Sequence, residues 1–286
     1  MKNILITGEN SYIGTNLINW IKVNSEYKIH AISVRENGWK TVDFSCYDVI
    51  VHVAGIAHVS ANPKMKSEYY KINTDLAIEI AEKAKKECVN QFIFMSSMII
   101  YGEDGKIGQE KIITRETTPK PVDFYGNSKL MADMGIQNLA TDDFKVLIVR
   151  TPMVYGPRSK GNFPKLIKIA KKTPVFPAIN NYRSMIYIDN LTEFIFRSIE
   201  FNLSGIYFPQ NSKYVMTKDI IKIVATNQNK KIFFISLFNP LLIVASRKIN
   251  IINKVFGNKT YELDGNIPFK YNVVEFEESV MRSITL

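Results

Sequence analysis

A tyrosine and a lysine four residues apart have the spacing of an acid–base pair. Tyr125 and Lys129 enclose the segment Tyr-Gly-Asn-Ser-Lys and should share one face near the start of a helix. A free phenol titrates at about pH 10 and is a weak acid–base catalyst at neutral pH. A neighbouring ammonium group favours the phenolate and lowers that pKa. The same spacing is common between ordinary surface side chains, so the pair alone does not establish a site.

A strand-end serine adds a third polar group upstream of the pair. Ser97 ends the apolar run that begins at Phe92. At the carboxyl end of a parallel strand, a serine hydroxyl can hydrogen-bond a substrate carbonyl or hydroxyl group. Strand-end serines otherwise often form turns. The ordered combination of Ser97, Tyr125 and Lys129 favours a catalytic role for all three.

A glycine-containing turn near the amino terminus predicts a phosphate site. The apolar run Ile4–Thr7 leads into Gly8, and Ser11, Tyr12, Ile13 and Gly14 open a helix. Gly8 would allow a tight turn and Gly14 a close packing of helix on strand, while the helix N-terminus offers free N–H groups to a pyrophosphate. Ser11 stands where the dinucleotide fingerprint has its middle glycine, so the match is imperfect.

The end of the second apolar run bears on the choice of dinucleotide. Arg35 suits a ribose 2′-phosphate, which favours NADP(H), but Glu36 follows it directly and keeps NAD(H) possible. Arg35 could also be a solvated strand end. Asp43 and Phe44 lie where an adenine could be hydrogen-bonded and covered, or they are a turn residue and a core aromatic.

Short apolar runs alternate with amphipathic stretches over the first 150 residues. This alternation predicts an α/β fold, a Rossmann-type doubly wound parallel sheet with helices on both faces. The connection Glu36–Tyr47 is short, so its crossover helix should be reduced or missing. The predicted strands are Ile4–Thr7, Lys28–Ser33, Val49–Ala54, Gln91–Ser96 and Lys145–Arg150.

The pattern loosens after residue 150, which predicts a smaller C-terminal substrate lobe. We assign residues 1–155 to the dinucleotide-binding domain, with 184–203 rejoining it, and residues 156–183 and 204–286 to the lobe. A helix is predicted over 163–172.

Composition excludes several classes of protein. The chain has 286 residues, 46% hydrophobic and 22% charged, as expected for a globular enzyme. Two cysteines are too few for a disulfide framework. The three histidines are not accompanied by other metal-ligating residues at the usual spacings, so no metal site is predicted. A reduced, cytoplasmic protein fits best.

The net charge of +10 suits an anionic partner. The basic residues are scattered and no nucleic-acid-binding motif accompanies them, so we predict no nucleic-acid partner. The longest apolar stretch, Ile232 to Ala245, is shorter than the roughly 20 residues that a spanning helix needs. Residues 232–254 could contact the inner face of a membrane weakly, or form a helix of the substrate lobe.

In this combination the chain resembles the extended short-chain dehydrogenase/reductase superfamily, in its branch of nucleotide-sugar epimerases, dehydratases and 4-ketoreductases. The resemblance covers nearly the whole chain. Its tail, with Phe256-Gly257, looks like a narrower group from bacterial capsule and O-antigen loci. The motifs that carry the resemblance are Val51–Gly55, Ile72–Thr74, Ser96–Gly102, Arg150–Pro157 and Arg183–Asn190.

The resemblance implies roles for further residues. Arg183 would bind the nucleotide diphosphate. The asparagine that relatives commonly have at the position of Met153 is absent, so one expected substrate contact is in doubt. Further cofactor contacts would come from Val53, Ala54, Gly55, Asn73 and Pro152. The substrate-binding residues would be His58, Ser97, Met98, Tyr125, Arg158, Asn162 and Arg183. Relatives commonly dimerise through the helix that carries the Tyr–Lys pair, so a homodimer is expected.

The resemblance also narrows the reaction. Dehydratases of the superfamily have an acidic pair just after the strand hydroxyl, where this chain has Met98 and Ile99, and aliphatic side chains cannot do that acid–base work. We therefore predict reduction of the C4 ketone of a UDP-linked 4-keto-6-deoxy-N-acetylhexosamine. The alternative is a UDP-sugar 4-epimerase with tightly bound NAD.

Overall fold

The computed structural model describes residues 1–57, 62–263 and 267–284. Its strands are β1 (Asn3–Thr7), β2 (Lys28–Ile32), β3 (Val49–His52), β4 (Gln91–Ser97), β5 (Ile112–Ile113), β6 (Lys145–Thr151), β7 (Met153–Tyr155), β8 (Val175–Pro177), β9 (Met185–Tyr187), β10 (Gly205–Tyr207), β11 (Phe233–Ile235) and β12 (Thr260–Tyr261). Its helices are α1 (Tyr12–Asn24), α2 (Lys66–Tyr69), α3 (Leu76–Lys86), α4 (Phe124–Gln137), α5 (Asn162–Lys172), α6 (Ile188–Glu200), α7 (Thr217–Asn227), α8 (Asn239–Ser246), α9 (Asn250–Phe256) and α10 (Phe276–Ile284).

A six-stranded parallel sheet forms the centre of the fold, in the order β10-β6-β4-β3-β1-β2. Both of its faces are buried, as parallel sheets require. Successive residues of β1 show why: Ile4 and Ile6 pack with α1 and α6, while Leu5 packs on the opposite face with α3. The predicted α/β fold with a Rossmann-type parallel sheet is confirmed.

The connection between β2 and β3 contains no crossover α-helix. One turn of 3₁₀ helix, Asn37–Thr41, takes its place and buries Trp39. The chain therefore passes from β2 to the far side of β1 without adding a further strand beyond β2. This agrees with the reduced connection expected from its length.

Three two-stranded sheets and several helices lie outside the main sheet. They pair β7 with β9, β8 with β11 and β5 with β12. A third apolar cluster joins α5, α7 and α10, with Tyr155 and Phe163 fully or almost fully buried.

These pairings refine the expected division of the chain. In the segment 184–203, β9 pairs with β7 and not with the main sheet, whereas α6 does pack beside α1. Residues 205–207, which we assigned to the lobe, form β10 at one edge of the main sheet. The two-lobe division itself stays a prediction. Over the described residues, no helix is long and apolar enough to cross a membrane.

Candidate active site

The predicted site residues follow strands that end at the same edge of the sheet. Thr7 of β1 pairs with His52 of β3, and Ser97 of β4 pairs with Thr151 of β6. Because the strands are parallel, the segments that follow them share one crevice. Gly8, Val53–Gly55 and Pro152 all leave the sheet there. This is the edge at which open α/β sheets bind ligands.

The turn after β1 has no room for side chains at its two glycines. Gly8 has φ of +99°, and a Cβ added to it would lie 2.8 Å from the backbone nitrogen of Ala54. A Cβ added to Gly14 would lie 2.6 Å from the carbonyl oxygen of Gly8. Glycine is therefore required at both positions to keep α1 close to the strands.

Ser11 starts α1 as its N-cap residue. Its hydroxyl accepts a hydrogen bond from the Gly14 backbone nitrogen at 2.9 Å. The backbone N–H groups of Tyr12 and Ile13 belong to the first turn, where no intrahelical acceptor is available. The first turn has no acidic residue. Its free N–H groups and the positive end of the helix dipole suit a phosphate group.

The phenol of Tyr12 is a buried polar atom without a partner. Its Oη makes no hydrogen bond in the structure, and a Cβ added to Gly156 would lie 2.6 Å from it. Burial raises the pKa of Tyr12 above its ordinary value, so the phenol stays protonated. Tyr12 therefore offers an unused hydrogen-bond donor between the glycine turn and the segment after β7.

Tyr125 lies in the first turn of α4, which Asp123 caps by accepting from Gly126 at 2.7 Å. The Tyr125 phenol is hydrogen-bonded by Ser97, and its ring meets that of Tyr69 edge-on with centroids 5.5 Å apart. Burial is the main cause that raises the pKa of Tyr125 to about 12, with Tyr69 adding to it and Ser97 opposing it. The phenol is thus protonated at neutral pH and in contact with the strand hydroxyl.

Lys129 lies one turn further along α4, almost fully buried beneath the segment after β3. Its Nζ donates to the carbonyl oxygen of Met95 at 3.0 Å, and a Cβ added to Gly55 would lie 3.3 Å from it. Burial lowers the pKa of Lys129 to about 8, although Asp133 opposes the shift. The prediction that Lys129 lowers the pKa of Tyr125 is wrong, because burial of the phenol dominates and the ammonium is directed to Met95.

Asn73 connects the segment after β3 with α4. Its Oδ1 accepts from the Ile56 nitrogen at 2.8 Å, and its Nδ2 donates to the Ile56 carbonyl at 3.1 Å and to the Ser128 hydroxyl at 3.2 Å. All three of these hydrogen bonds are made to this segment or to α4. The role of Asn73 visible in the structure is therefore to fix the backbone above Lys129.

A buried ion pair beneath the site was not found by sequence reasoning. Asp133 accepts from Arg150 Nε at 2.9 Å and Nη2 at 2.8 Å, and also from the Ser96 hydroxyl at 2.6 Å. Arg150 Nη1 donates to the Tyr101 phenol at 2.6 Å. The available signal was the position of Asp133, one helical turn after Lys129 and between Ala132 and Ile136 on the buried face of α4.

The residues predicted at the adenosine end differ in accessibility. Arg35 is exposed just past β2, where it could reach a ligand. Asp43 is in a turn in which its carboxylate accepts from the Ser45 nitrogen and hydroxyl. Phe44 is fully buried in the core beside Trp39, so its ring is not available to cover an adenine and fits the alternative of a core aromatic.

The residues predicted to line the substrate differ in how exposed they are. Met98 follows Ser97 directly and is buried. Arg158 and Asn162 are exposed on the segment that leads into α5, Arg158 with φ of +59°. Val53 and Pro152 are buried at the ends of their strands, with Ala54 half-buried. His58 lies outside the described residues.

Arg183 is held within the protein. Its Nη2 forms an ion pair with Asp104 at 3.1 Å, and its Nη1 donates to the Gly257 carbonyl at 3.1 Å. Lys259, whose pKa burial lowers to about 8, donates to the Gly102 carbonyl nearby. A diphosphate that binds here therefore meets a guanidinium that already has a carboxylate partner.

His52, at the end of β3, is neutral, and the described part of the chain holds no cluster of metal ligands. Within the described residues, no group of three His, Cys, Asp or Glu side chains could hold a metal ion. His52 is buried with its Nδ1 2.7 Å from the Thr7 hydroxyl, and burial lowers its pKa to about 3. His52 is therefore neutral at physiological pH.

The crevice fits a nicotinamide dinucleotide. The α1 N-terminus would take the pyrophosphate between Gly8 and Gly14, and Lys129 and Tyr125 would face the ribose and ring. The glycine at residue 55 leaves its backbone exposed above Lys129, where a side chain would fill the groove.

Comparisons with known proteins agree with this geometry. The profile of the NAD dependent epimerase/dehydratase family matches residues 4–208. UDP-glucose 4-epimerase of Vibrio cholerae is 31% identical over 222 residues, covering 70% of this chain and 67% of that protein. N-acetyl-alpha-D-glucosaminyl-diphospho-ditrans,octacis-undecaprenol 4-epimerase of Escherichia coli O157:H7 is 26% identical, covering 90% of this chain and 82% of that protein.

Solved structures show the same fold. A UDP-glucuronic acid 4-epimerase from Bacillus cereus in complex with NAD superposes with a TM-score of 0.76 at 19% identity, covering 99% of this chain and 97% of its own. A dTDP-4-dehydrorhamnose reductase from Clostridium acetobutylicum superposes with a TM-score of 0.71 at 17% identity, covering 99% of this chain and 98% of its own. The family profile spans well over half of the sequence. The chain therefore belongs to the NAD dependent epimerase/dehydratase family, as an enzyme of nucleotide-sugar chemistry that uses a nicotinamide cofactor.

Proposed function

We propose that the protein reduces the C4 ketone of a UDP-linked 4-keto-6-deoxy-N-acetylhexosamine, a reaction of capsule or surface polysaccharide precursor synthesis. The observation that carries the proposal is the contact of the protonated Tyr125 phenol with Ser97 beside the buried Lys129. A phenol with a pKa of about 12 is already in the form that donates a proton. Reduction of a ketone uses this protonated form, whereas oxidation of an alcohol uses the phenolate.

Ser97, Tyr125 and Lys129 have different roles in the proposed reaction. A reduced nicotinamide cofactor, when bound, would supply the hydride that the C4 carbonyl carbon accepts. Ser97 hydrogen-bonds the carbonyl oxygen, and Tyr125 gives that oxygen its phenolic proton as negative charge develops there. Lys129 holds the ribose of the cofactor, while its bond to the Met95 carbonyl fixes the ammonium at the end of β4.

Dehydration is disfavoured by the residues that follow Ser97. Met98 is buried in an apolar cluster with Ile100, and Ile99 packs against the same cluster. Neither side chain can accept or donate a proton. Chemistry at C4, without proton transfer at C5 and C6, is what this environment supports.

Epimerisation at C4 is the second candidate. The similarity to 4-epimerases from Vibrio cholerae and Escherichia coli favours it. In that reaction Tyr125 would remove and return a proton, and the cofactor would stay bound as NAD. The Escherichia coli relative is named for a polyprenyl-diphosphate-linked sugar, so a lipid-linked substrate belongs among those tested.

The cofactor preference is a separate part of the proposal. Exposed Arg35 after β2 supports NADP(H), whereas Glu36 beside it and the NAD in the Bacillus cereus structure support NAD(H). We propose NADP(H) on the strength of the guanidinium. Comparing the affinity for the two reduced cofactors before and after Arg35→Ala tests this, with a selective loss for NADPH expected.

Product analysis separates the two reactions. The purified protein is incubated with a UDP-4-keto-6-deoxy sugar and NADPH or NADH. In parallel, it is incubated without added cofactor with UDP-N-acetylglucosamine or with polyprenyl-diphosphate-linked N-acetylglucosamine. Reduction predicts loss of the reduced nicotinamide absorbance and a C4 hydroxyl in the product by NMR. Interconversion of C4 epimers with no cofactor consumed would overturn reduction in favour of epimerisation. Tyr125→Phe is the negative control for both.

A further inference from the structure

One segment near the carboxyl terminus is basic and contains no acidic residue. Residues 220–261 contain seven Lys or Arg residues and no Asp or Glu, in a protein whose net charge is +10. Six of the seven are exposed, Lys259 being the buried exception. Exposed cations attract an anionic partner over about 10 Å at physiological salt.

The same segment exposes large apolar side chains. Phe233, Leu237, Phe238, Leu241, Val244 and Ile251 are each between 53% and 78% exposed. Of the eight residues of α8, only Ser246 is buried. A helix that served only to build the lobe would turn its apolar side chains inward, as α7 does with Ile221 and Val224.

The exposed cations surround these apolar side chains in sequence. Lys230 and Lys231 precede Phe233, Arg247 and Lys248 follow α8 directly, and Lys254 lies in the last turn of α9. We call the six apolar residues and these five cations the basic apolar surface. An apolar helix with flanking Lys and Arg is typical of proteins that lie in the interface of an anionic bilayer.

We propose that the basic apolar surface docks the protein on an anionic lipid bilayer. Charge argues for lipid and against a second copy of this chain, since two such surfaces would oppose each other with like charge. With eight residues, α8 is far too short to cross a bilayer, so its apolar side chains would enter the headgroup region only. Membrane docking of this kind is independent of the reaction proposed above.

Docking would place the substrate lobe at the membrane surface. The helix α9 follows α8 directly, and the carbonyl oxygens of Asn253 and Gly257 accept hydrogen bonds from the Arg183 guanidinium. The lipid-facing segment is thus one short helix away from the arginine predicted to hold the diphosphate. A lipid-bound protein would face the membrane with this side of the lobe.

Vesicle flotation with the full chain tests the proposal. Vesicles of phosphatidylcholine are compared with vesicles in which about one quarter is phosphatidylglycerol. We expect binding to the anionic vesicles, at least tenfold weaker binding to the neutral ones, and a steep loss as salt rises from about 50 to about 500 mM. Arg247→Glu/Lys248→Glu should lower binding at least tenfold, whereas Lys85→Glu/Lys86→Glu, an equal charge change at the end of α3, should not.

A second pair of variants tests the apolar contribution. Leu241→Glu should lose anionic-vesicle binding, while Val23→Glu, at a valine on α1 that is 83% exposed against 67% for Leu241, should keep it. Circular dichroism and thermal unfolding verify that each variant is folded. Absence of binding by the wild type, or equal loss in the control variants, would overturn the proposal. So would a Leu241→Glu variant that changes only the oligomeric state in light scattering, since the surface would then be a subunit interface.

Discussion

The reactive tyrosine is held in its protonated form by its surroundings. Ser97 and the edge-on ring of Tyr69 contact it, and no cation is among the causes that set its pKa. A general acid must hold its proton until negative charge develops on the substrate. Tyr125 satisfies this condition over the whole physiological range of pH.

Removing that proton donor should abolish turnover and leave the fold intact. Tyr125→Phe keeps the ring that packs on Tyr69 and removes only the hydroxyl. We expect kcat to fall by roughly 10²–10⁴-fold, which is the usual contribution of a positioned acid, with little change in thermal stability. Initial-rate assays with the substrate that the product analysis identifies provide the measurement. Tyr182→Phe, at an exposed tyrosine, is the control, and a variant that retains most of its activity would contradict the role.

The pH dependence should reflect Lys129. Burial lowers its pKa from 10.5 to about 8, so its ammonium is lost as pH rises through about 8, and kcat/KM for the reduced cofactor should fall there. The free energy of unfolding should change in the opposite direction. Between about pH 8 and 10.5 the unfolded chain binds more protons at this lysine than the folded protein does, so the free energy of unfolding rises with pH over that range. A kcat/KM profile from pH 6 to about 10 measures the first effect.

Lys259 has a similar pKa of about 8 and must be distinguished from Lys129. Lys129→Arg should remove the fall near pH 8, because an arginine stays charged. Lys259→Met should keep the fall. A profile unchanged by Lys129→Arg would assign the titration to another group.

At the scale of elements, the turn between β1 and α1 depends on one backbone conformation. Gly8→Ala would force φ of +99° on a residue with a side chain and bring its Cβ within 2.8 Å of the Ala54 nitrogen. We expect a loss of about 1–3 kcal/mol in the free energy of unfolding and weaker dinucleotide binding. Urea denaturation and a cofactor titration measure the two effects. Gly38→Ala is the matched control, since its Cβ would meet nothing within 4 Å.

Elements with a strong local pattern were predictable from sequence. The five predicted strands of the main sheet, the helix over 163–172 and the short link after β2 all follow from runs of apolar residues and from loop length. The combination of Ser97 at a strand end with Tyr125 at a helix start was predicted to form one site, and the two side chains are hydrogen-bonded.

Long-range partners were not predictable in the same way. The Asp133–Arg150 ion pair joins α4 to β6, and the Arg183–Asp104 ion pair joins residues 79 positions apart. Neither pairing leaves a periodic trace in the sequence. The raised pKa of Tyr125 was missed for a related reason, since burial depends on everything packed around the ring and outweighs a lysine four residues away.

At the scale of the whole molecule, Asn190 ties α6 to the segment before α10. Its Oδ1 accepts from the backbone nitrogens of Val273 and Val274, both at 2.9 Å, and its Nδ2 donates to the Val274 carbonyl at 3.0 Å. Asn190→Ala would leave these backbone groups without partners. We expect a loss of about 2–4 kcal/mol in the free energy of unfolding.

Chemical denaturation of Asn190→Ala tests this connection. Asn24→Ala is a suitable control, because Asn24 donates only to a carbonyl of its own helix at an exposed position. Similar stability in the two variants would show that the carboxyl-terminal segment is held by other contacts. The expected homodimer stays a prediction at this scale.

The abbreviated link after β2 has a consequence for how copies of the protein behave in concentrated solution. It leaves β2 as the outermost strand on its side, with one row of peptide groups open to hydrogen bonding by another chain. That border is only five residues long, and its outward side chains include the charged Lys28 and the polar His30. A short edge strand with a charged side chain disfavours edge-to-edge pairing between copies. The sheet can therefore end at β2, with no further strand, without promoting aggregation.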